Sequence, residues 1–287
     1  MSLDVQKRLQ LEEKAHHLRK DILETTFHAG SGHIGGALSM IDAVTLLYYH
    51  HMNIKPEDPD WEDRDRFILS KGHAAIGYVT VLADLGYIPK EDLKTFNLTG
   101  SYLGMHLDSN KVTGCEASTG SLGHGLSIAI GMALGARLQE KDYRVYCLLG
   151  DGECDEGSVW EAAMSASNFN LTNLITLVDR NHAMIDGNTE DVMKLEPFKD
   201  KWEAFGFNTY VVNGHDLGAI DEALEKAYEC KDKPTCIILD TVKGEGVSFS
   251  QGDYKWHYGA INEELYEEGL KSLDAYYEKR RARVKED

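Results

Sequence analysis

The chain has 287 residues, 42% of them hydrophobic, and a formal net charge of -18 at pH 7. That length suits one large α/β domain or two small ones. The acidity excludes a nucleic-acid partner, whose phosphate backbone needs a basic surface, and no stretch is apolar enough to span a bilayer. Met1 to Lys20 is charged, with no signal-peptide core. The five cysteines, Cys115, Cys147, Cys154, Cys230 and Cys236, form no CxxC pair. An odd count without metal spacing predicts a cytoplasmic enzyme with reduced thiols. Cys147 and Cys236 fall in apolar strands and are expected to be buried. Cys154 is read as a chance neighbour of the acidic motif beside it.

In chain order, residues 4–28 carry Val5, Leu9, Leu18 and Ile22 at helical spacing. The glycine-dense run Ala29 to Gly36 predicts a loop that ends this helix, with a second helix from Leu38 to His51. Arg66 to Ser70 reads as a short strand and Ala74 to Leu85 as a helix. Asn97 to Gly123 is polar and glycine-rich, an irregular length of the kind that usually carries function. Gly125 to Leu138 is a helix with a small-residue face (Ala129, Gly131, Ala133, Gly135, Ala136). Strand and helix then alternate regularly. Strands are expected at 144–149, 173–179, 207–212 and 235–241, and helices at 157–169, near 197–205 and at 217–230. Val242 to Ala260 is loop-like, and Glu263 to Arg283 closes as a charged helix. The pattern predicts an α/β fold, a parallel sheet covered by helices on both faces. No linker splits it, so 1–287 is expected to be a single domain.

Two motifs lie one strand-helix-strand unit apart. Gly150-Asp151-Gly152-Glu153 ends the apolar run 145–149, and Asp179-Arg180-Asn181 ends the run 174–178. Asp151 and Asn181 are therefore expected at adjacent strand ends, where open parallel sheets bind ligands. A carboxylate and an amide oxygen suit Mg²⁺, a hard ion completed by phosphates and water, with Ca²⁺ or Mn²⁺ as substitutes. Gly150 and Gly152 let the backbone approach a diphosphate.

The pair of motifs resembles the thiamine diphosphate signature. The chain as a whole resembles the N-terminal, diphosphate-binding part of transketolase. The matches are Ser31-Gly32-His33, Asp65 to Ala74, Thr119 to Gly125, Gly150 to Glu153 with Glu156-Gly157, and Asn181 with Ile185-Asp186-Gly187. The resemblance implies a thiamine diphosphate-binding fold. It also implies a metal held by Asp151, the Asn181 side chain and the Ala183 carbonyl. Gly152 would give its amide to the diphosphate, His73 would lie against the phosphates, and Gly120, Ser121 and Leu122 would line the cofactor. Lys243 would stand near it. His33, His106 and His257 would face the sugar, where imidazoles titrating near neutrality can move hydroxyl protons. Glu156 and Glu161 would link two active sites across a subunit interface, although helix capping accounts for them equally. His16, His17, His50, His51 and His215 are read as surface or capped residues.

In transketolase a glutamate that activates the cofactor lies in a second, C-terminal domain. The chain is accordingly expected to be the N-terminal subunit of a split transketolase, working in an α2β2 assembly with a C-terminal partner subunit. The implied reaction is reversible transfer of a two-carbon ketol unit from a ketose phosphate such as xylulose 5-phosphate to an aldose phosphate such as ribose 5-phosphate, in the pentose phosphate pathway. Unusual or sulfonated sugars are the alternative substrates. Competing readings are 1-deoxyxylulose-5-phosphate synthase and the 2-oxoacid dehydrogenase α subunit. Against the dehydrogenase stand Ser31-Gly32-His33 and Ser70-Lys71-Gly72-His73, which suit a polyhydroxylated sugar. Against the synthase stand a different domain joining and the absence of its inserted segments. A non-catalytic subunit is disfavoured by complete metal and diphosphate motifs.

Overall fold

In the computed structural model, which describes residues 3–286, alternate residues of the central strands face two separate cores. The elements run α1 (Val5–Ala29), β1 (Ser31–Gly32), α2 (Ile34–Leu46), β2 (Arg66–Leu69), α3 (Ala75–Asp84), α4 (Gly125–Leu138), β3 (Val145–Gly150), α5 (Gly157–Asn168) and β4 (Leu174–Arg180). They continue with α6 (Thr189–Val192), α7 (Phe198–Ala204), β5 (Asn208–Asn213), α8 (Leu217–Glu229), β6 (Thr235–Asp240), β7 (Gly259–Ala260) and α9 (Glu263–Glu286). Five strands form one parallel sheet in the order β2-β3-β4-β6-β5.

Phe67, Leu69, Tyr146, Leu148, Ile175, Leu177, Ile237 and Leu239 pack on one face with α1, α2, α3 and α8. Ile68, Val145, Cys147, Leu149, Leu174, Val178, Cys236 and Ile238 pack on the other with α4, α5 and Trp202 of α7. The period of two explains the division, and cover on both sides explains why these strands read as continuous apolar runs. Each fully buried Leu or Ile contributes about 1.5–3 kcal/mol.

The predicted strands and most helices lie within a residue or two of their expected positions. The first loop does not. Ile34, Gly35 and Gly36 open α2 rather than preceding it. Gly35 is glycine because the backbone of 254–257 crosses there: a Cβ would lie 2.6 Å from the Trp256 carbonyl oxygen and 2.8 Å from Lys243 Cγ. α2 then passes into a π-helical turn at Leu47–His51. Two further two-residue strands, β1 and β7, pair antiparallel, Ser31 with Ala260 and Gly32 with Gly259.

α9 packs on α1 through a buried ion network. Arg19 donates to both Asp42 oxygens at 3.0 and 2.6 Å. Arg280 reaches Asp42 at 3.2 Å and also bonds Glu12. His215 completes it, with Nδ1 2.9 Å from Asp42 and Nε2 accepting the Val242 N–H. His16 is buried, not a surface residue; it pairs with Asp274 and stacks on Tyr277. His51 likewise is mostly buried against Asp221. Cys147 and Cys236 are buried as expected, and so is Cys154, whose thiol burial pushes well above its usual pKa. No helix among the described residues is long and apolar enough to cross a membrane.

Candidate active site

The carboxyl ends of four neighbouring strands converge on one cavity of about 300 Å³. β2 leads to Lys71 and His73, β3 to Asp151 and Gly152, β4 to Asn181 and Ala183, and β6 to Lys243. The register sets this convergence: Gly150 pairs with Asp179, and Arg180 with Asp240. His33, at the start of α2, and His257, just before β7, enter from the β1–β7 ribbon, which brings segments more than 200 residues apart side by side. The cavity lining also includes Gly120, Leu122, Met184, Ile185 and Asp186.

Three imidazoles form a compact group. Ring centres lie 5.1 Å apart for His33 and His73, 5.3 Å for His33 and His257, and 4.9 Å for His73 and His257. His106 stands at the rim, exposed, 6.5 Å from His33, with its ring over Gly120. Burial, with help from His106 and Lys243, lowers the His33 pKa to about 4. Burial and Lys243 lower His257 to about 3, and burial together with His257 lowers His73 further still. All three are neutral at pH 7 and present both a donor and an acceptor nitrogen.

Beneath them lies a polar floor. Asp151 is buried and accepts N–H groups from Gly152 and His182, both at 2.8 Å, and from Arg180 at 3.2 Å. Burial, reinforced by the nearby Asp179 charge, raises its pKa. Asp179 is wholly buried and is bound by Lys71 at 2.5 Å, Ser39 at 2.5 Å, Thr241 and Asn181. Despite burial, Lys71 and the hydroxyl hydrogen bonds hold its carboxyl below the usual range. Glu153 accepts from Ser70, Gly123 and Gly150, joining the loops that follow β2 and β3 to the start of α4.

These residues fit a magnesium diphosphate. Asp151 and the Asn181 carboxamide offer hard oxygens at one cavity wall. Lys243 is 2% exposed; among the described residues its ammonium has no carboxylate within 4 Å and lies 3.1 Å from the neutral His257 ring, with the Asp151 and Asp179 charges acting from farther away. Burial lowers its pKa to about 8. A buried ammonium without a counter-ion is costly, and an anion in the cavity offsets that cost. His33 Nδ1 is likewise buried with no hydrogen-bond partner.

Some expected residues sit differently. Ser121 is exposed and does not line the cavity, whereas Gly120 and Leu122 do. The Gly152 N–H is engaged by Asp151 Oδ1 rather than pointing freely inward. Glu156 occupies the N-cap of α5, where its charge meets the helix dipole, without a side-chain capping hydrogen bond; Glu161 is exposed one turn on. His124 stands exposed at the start of α4, outside the cavity. The sequence motifs assign no role to Asp179, Lys71 or Glu153. The available signal is charge inside otherwise apolar, buried strands and their ends.

Residues 11–276 match the family model described as transketolase, thiamine diphosphate binding domain. The 6-deoxy-6-sulfo-D-fructose transketolase subunit SqwG of Clostridium sp. (strain MSTE9) is 40% identical over 269 residues, covering 94% of this chain and 98% of that protein. An apulose-4-phosphate transketolase subunit of Phocaeicola vulgatus is also 40% identical, covering 94% and 95%. The crystal structure of transketolase from Campylobacter jejuni superposes with a TM-score of 0.84 at 30% identity, covering 100% of this chain and 48% of that one. The chain thus spans about half the length of the solved transketolases it matches.

Proposed function

The chain belongs to the transketolase family as a thiamine diphosphate-binding domain, and from that premise we propose that it is the diphosphate-binding subunit of a two-subunit transketolase. The observation that carries this reading is the convergence of Asp151, Asn181 and the buried Lys243 beneath three neutral imidazoles. It is supported by relatives named as transketolase subunits that the chain covers almost end to end.

Asp151, Asn181 and the Ala183 carbonyl would hold Mg²⁺, and Lys243 and His73 would meet the diphosphate oxygens. When bound, thiamine diphosphate supplies the nucleophilic carbon and the electron sink for breaking a ketose carbon–carbon bond. His33 and His257 orient the sugar hydroxyls, accept a hydroxyl proton as the bond breaks and return it when the acceptor is joined. Their lowered pKa values keep both imidazoles neutral at neutral pH; His33 Nδ1 has no hydrogen-bond partner, whereas His257 Nδ1 faces the Lys243 ammonium. His106, at the rim, contacts the more distant part of the sugar. Gly120, Ser121 and Leu122 border the cofactor. Glu156 and Glu161 face a second subunit, and the cofactor-activating carboxylate comes from the C-terminal partner of an α2β2 assembly in the cytoplasm.

Two substrate readings stand. One is the exchange between xylulose 5-phosphate and ribose 5-phosphate. The other, favoured by the names of the relatives at 40% identity, is transfer from an unusual ketose such as a sulfonated fructose or apulose phosphate. Measuring kcat/KM of the two-subunit complex for these donors separates them: a preference of 100-fold or more, about 2.7 kcal/mol, for the unusual ketose supports the second and its reverse the first. Independently, Mg²⁺ plus cofactor is expected to raise the Tm of the complex, and Asp151→Ala to abolish that rise. An unchanged rise removes the metal assignment.

A further inference from the structure

A second cluster of ligating groups lies at the opposite end of α2 from His33. The π-helical turn at Leu47–His51 places His50 and His51, successive residues, against the same carboxylate of α8. His51 Nε2 is 2.9 Å from Asp221 Oδ1, and His50 Nε2 is 3.7 Å from the same oxygen. The three ligand atoms lie within 4.8 Å of one another. The two rings meet edge to face with centres 4.8 Å apart. Neither imidazole has a role in the cavity described above.

We propose that His50, His51 and Asp221 form a binding site for a borderline transition-metal dication of the Zn²⁺ class, separate from the magnesium site. A tetrahedral ion with bonds of about 2.0–2.1 Å holds its ligands roughly 3.3 Å apart; the two imidazole–carboxylate spacings of 2.9 and 3.7 Å bracket that value, and the two imidazole nitrogens, within 4.8 Å, close on an ion as His50 moves. Two imidazole nitrogens and one carboxylate oxygen are the donor set that favours Zn²⁺, Co²⁺ or Ni²⁺ over Mg²⁺. Both the rigid and the adjustable parts of a site are present. The Asp221 side chain is 1% exposed and His51 4%, whereas His50 is 31% exposed and free to swing onto an ion arriving from solvent. Asp221 Oδ2 is fixed from behind by the Leu3 N–H at 3.2 Å, an outer contact that orients the carboxylate. Glu225, one turn further along α8, adds negative charge that acts on His51.

A metal here ties the end of α2 to α8 and, through Asp221, to Leu3. Its effect is therefore on stability, transmitted along the helix that begins at His33. The test uses the full chain freed of metal with a chelator and titrated with Co²⁺ alone, then Zn²⁺. Expected are one equivalent of bound Co²⁺ with the visible absorption of a low-coordinate ion, its displacement by Zn²⁺, and a rise in Tm with Zn²⁺. His50→Ala, a change at an exposed position, should weaken binding by more than about 100-fold, beyond the usual outer-contact effect, and leave the metal-free Tm unaltered. Asp151→Asn should retain the site. Absence of stoichiometric Zn²⁺ binding overturns the proposal, as does binding that survives His50→Ala or is lost in Asp151→Asn.

Discussion

Asn181 Nδ2 donates to Asp179 Oδ2 at 2.9 Å, and that bond decides which way the Asn181 amide faces. With its nitrogen held by a buried carboxylate, its oxygen is turned to the Ala183 N–H and the cavity wall, where a metal ligand is needed. Asp179 itself is held in charge by Lys71, so a buried ion pair two residues from the ligand sets the geometry of the site. Under the proposed metal assignment, Asp179 and Lys71 would be the outer layer that orients the Asn181 ligand.

Asp179→Asn keeps the shape of this floor but lets the Asn181 amide turn over. Mg²⁺-dependent cofactor affinity of the two-subunit complex is expected to fall by about 10–100-fold, read by titration calorimetry. Affinity within twofold of the parent contradicts the orienting role.

Lys243→Met removes a buried ammonium that, among the described residues, has no carboxylate within 4 Å. The cofactor-free chain is expected to gain up to about 3 kcal/mol, the equivalent of a pKa falling from 10.5 to about 8, while cofactor affinity drops. The sign of the pH dependence follows. The folded chain holds this proton less tightly than the unfolded chain, so the penalty is full below pH 8 and fades as pH rises toward 10.5. Denaturant melts at pH 7 and pH 10 should therefore show a larger gap between variant and parent at pH 7. A gap that widens with pH would refute the assignment.

Asp42 tests the ion network behind the sheet. Arg19, Arg280 and the His215 hydrogen bond depress its pKa below the usual carboxylate range despite full burial. Its stabilisation is present above the ordinary carboxylate pKa of about 4 and is lost progressively as pH falls below that. Asp42→Ala leaves Arg19 buried opposite no charge and should cost about 3–5 kcal/mol at pH 7. The difference from the parent should shrink on going down from pH 4 in urea melts.

Two glycines predict opposite outcomes. Gly35→Ala drives a methyl into the Trp256 carbonyl and Lys243, displacing the segment that carries His257; a loss of about 1–3 kcal/mol and weaker cofactor binding are expected. Gly131 lies exposed in α4 with nothing within 4 Å of a Cβ, and Gly131→Ala should stabilise the free chain by about 0.5–1 kcal/mol. Equal effects would mean that helix propensity, not the crossing at Gly35, governs both.

The parallel sheet was legible because its strands are buried on both faces and read as apolar runs such as Leu174 to Val178. Asp151 and Asn181 were legible because they end such runs. The start of α2 was not, because glycine density marks both loops and close crossings, and only the Trp256 contact distinguishes them. The β1–β7 ribbon escaped because two-residue strands have no periodicity and their partners lie far apart in sequence. The pairing of Lys71 with Asp179 escaped for a similar reason: each residue sits at its own strand end, and only the sheet register brings the charges together.

The two-subunit transketolase reading is decided by purifying the chain from its own host with whatever subunit accompanies it and measuring ketol transfer among a panel of ketose donors and aldose acceptors, with and without thiamine diphosphate and Mg²⁺. Transfer is expected that requires both additions and a second subunit, and that Asp151→Ala eliminates. Transfer by the complex without thiamine diphosphate, or undiminished transfer by Asp151→Ala, would contradict it.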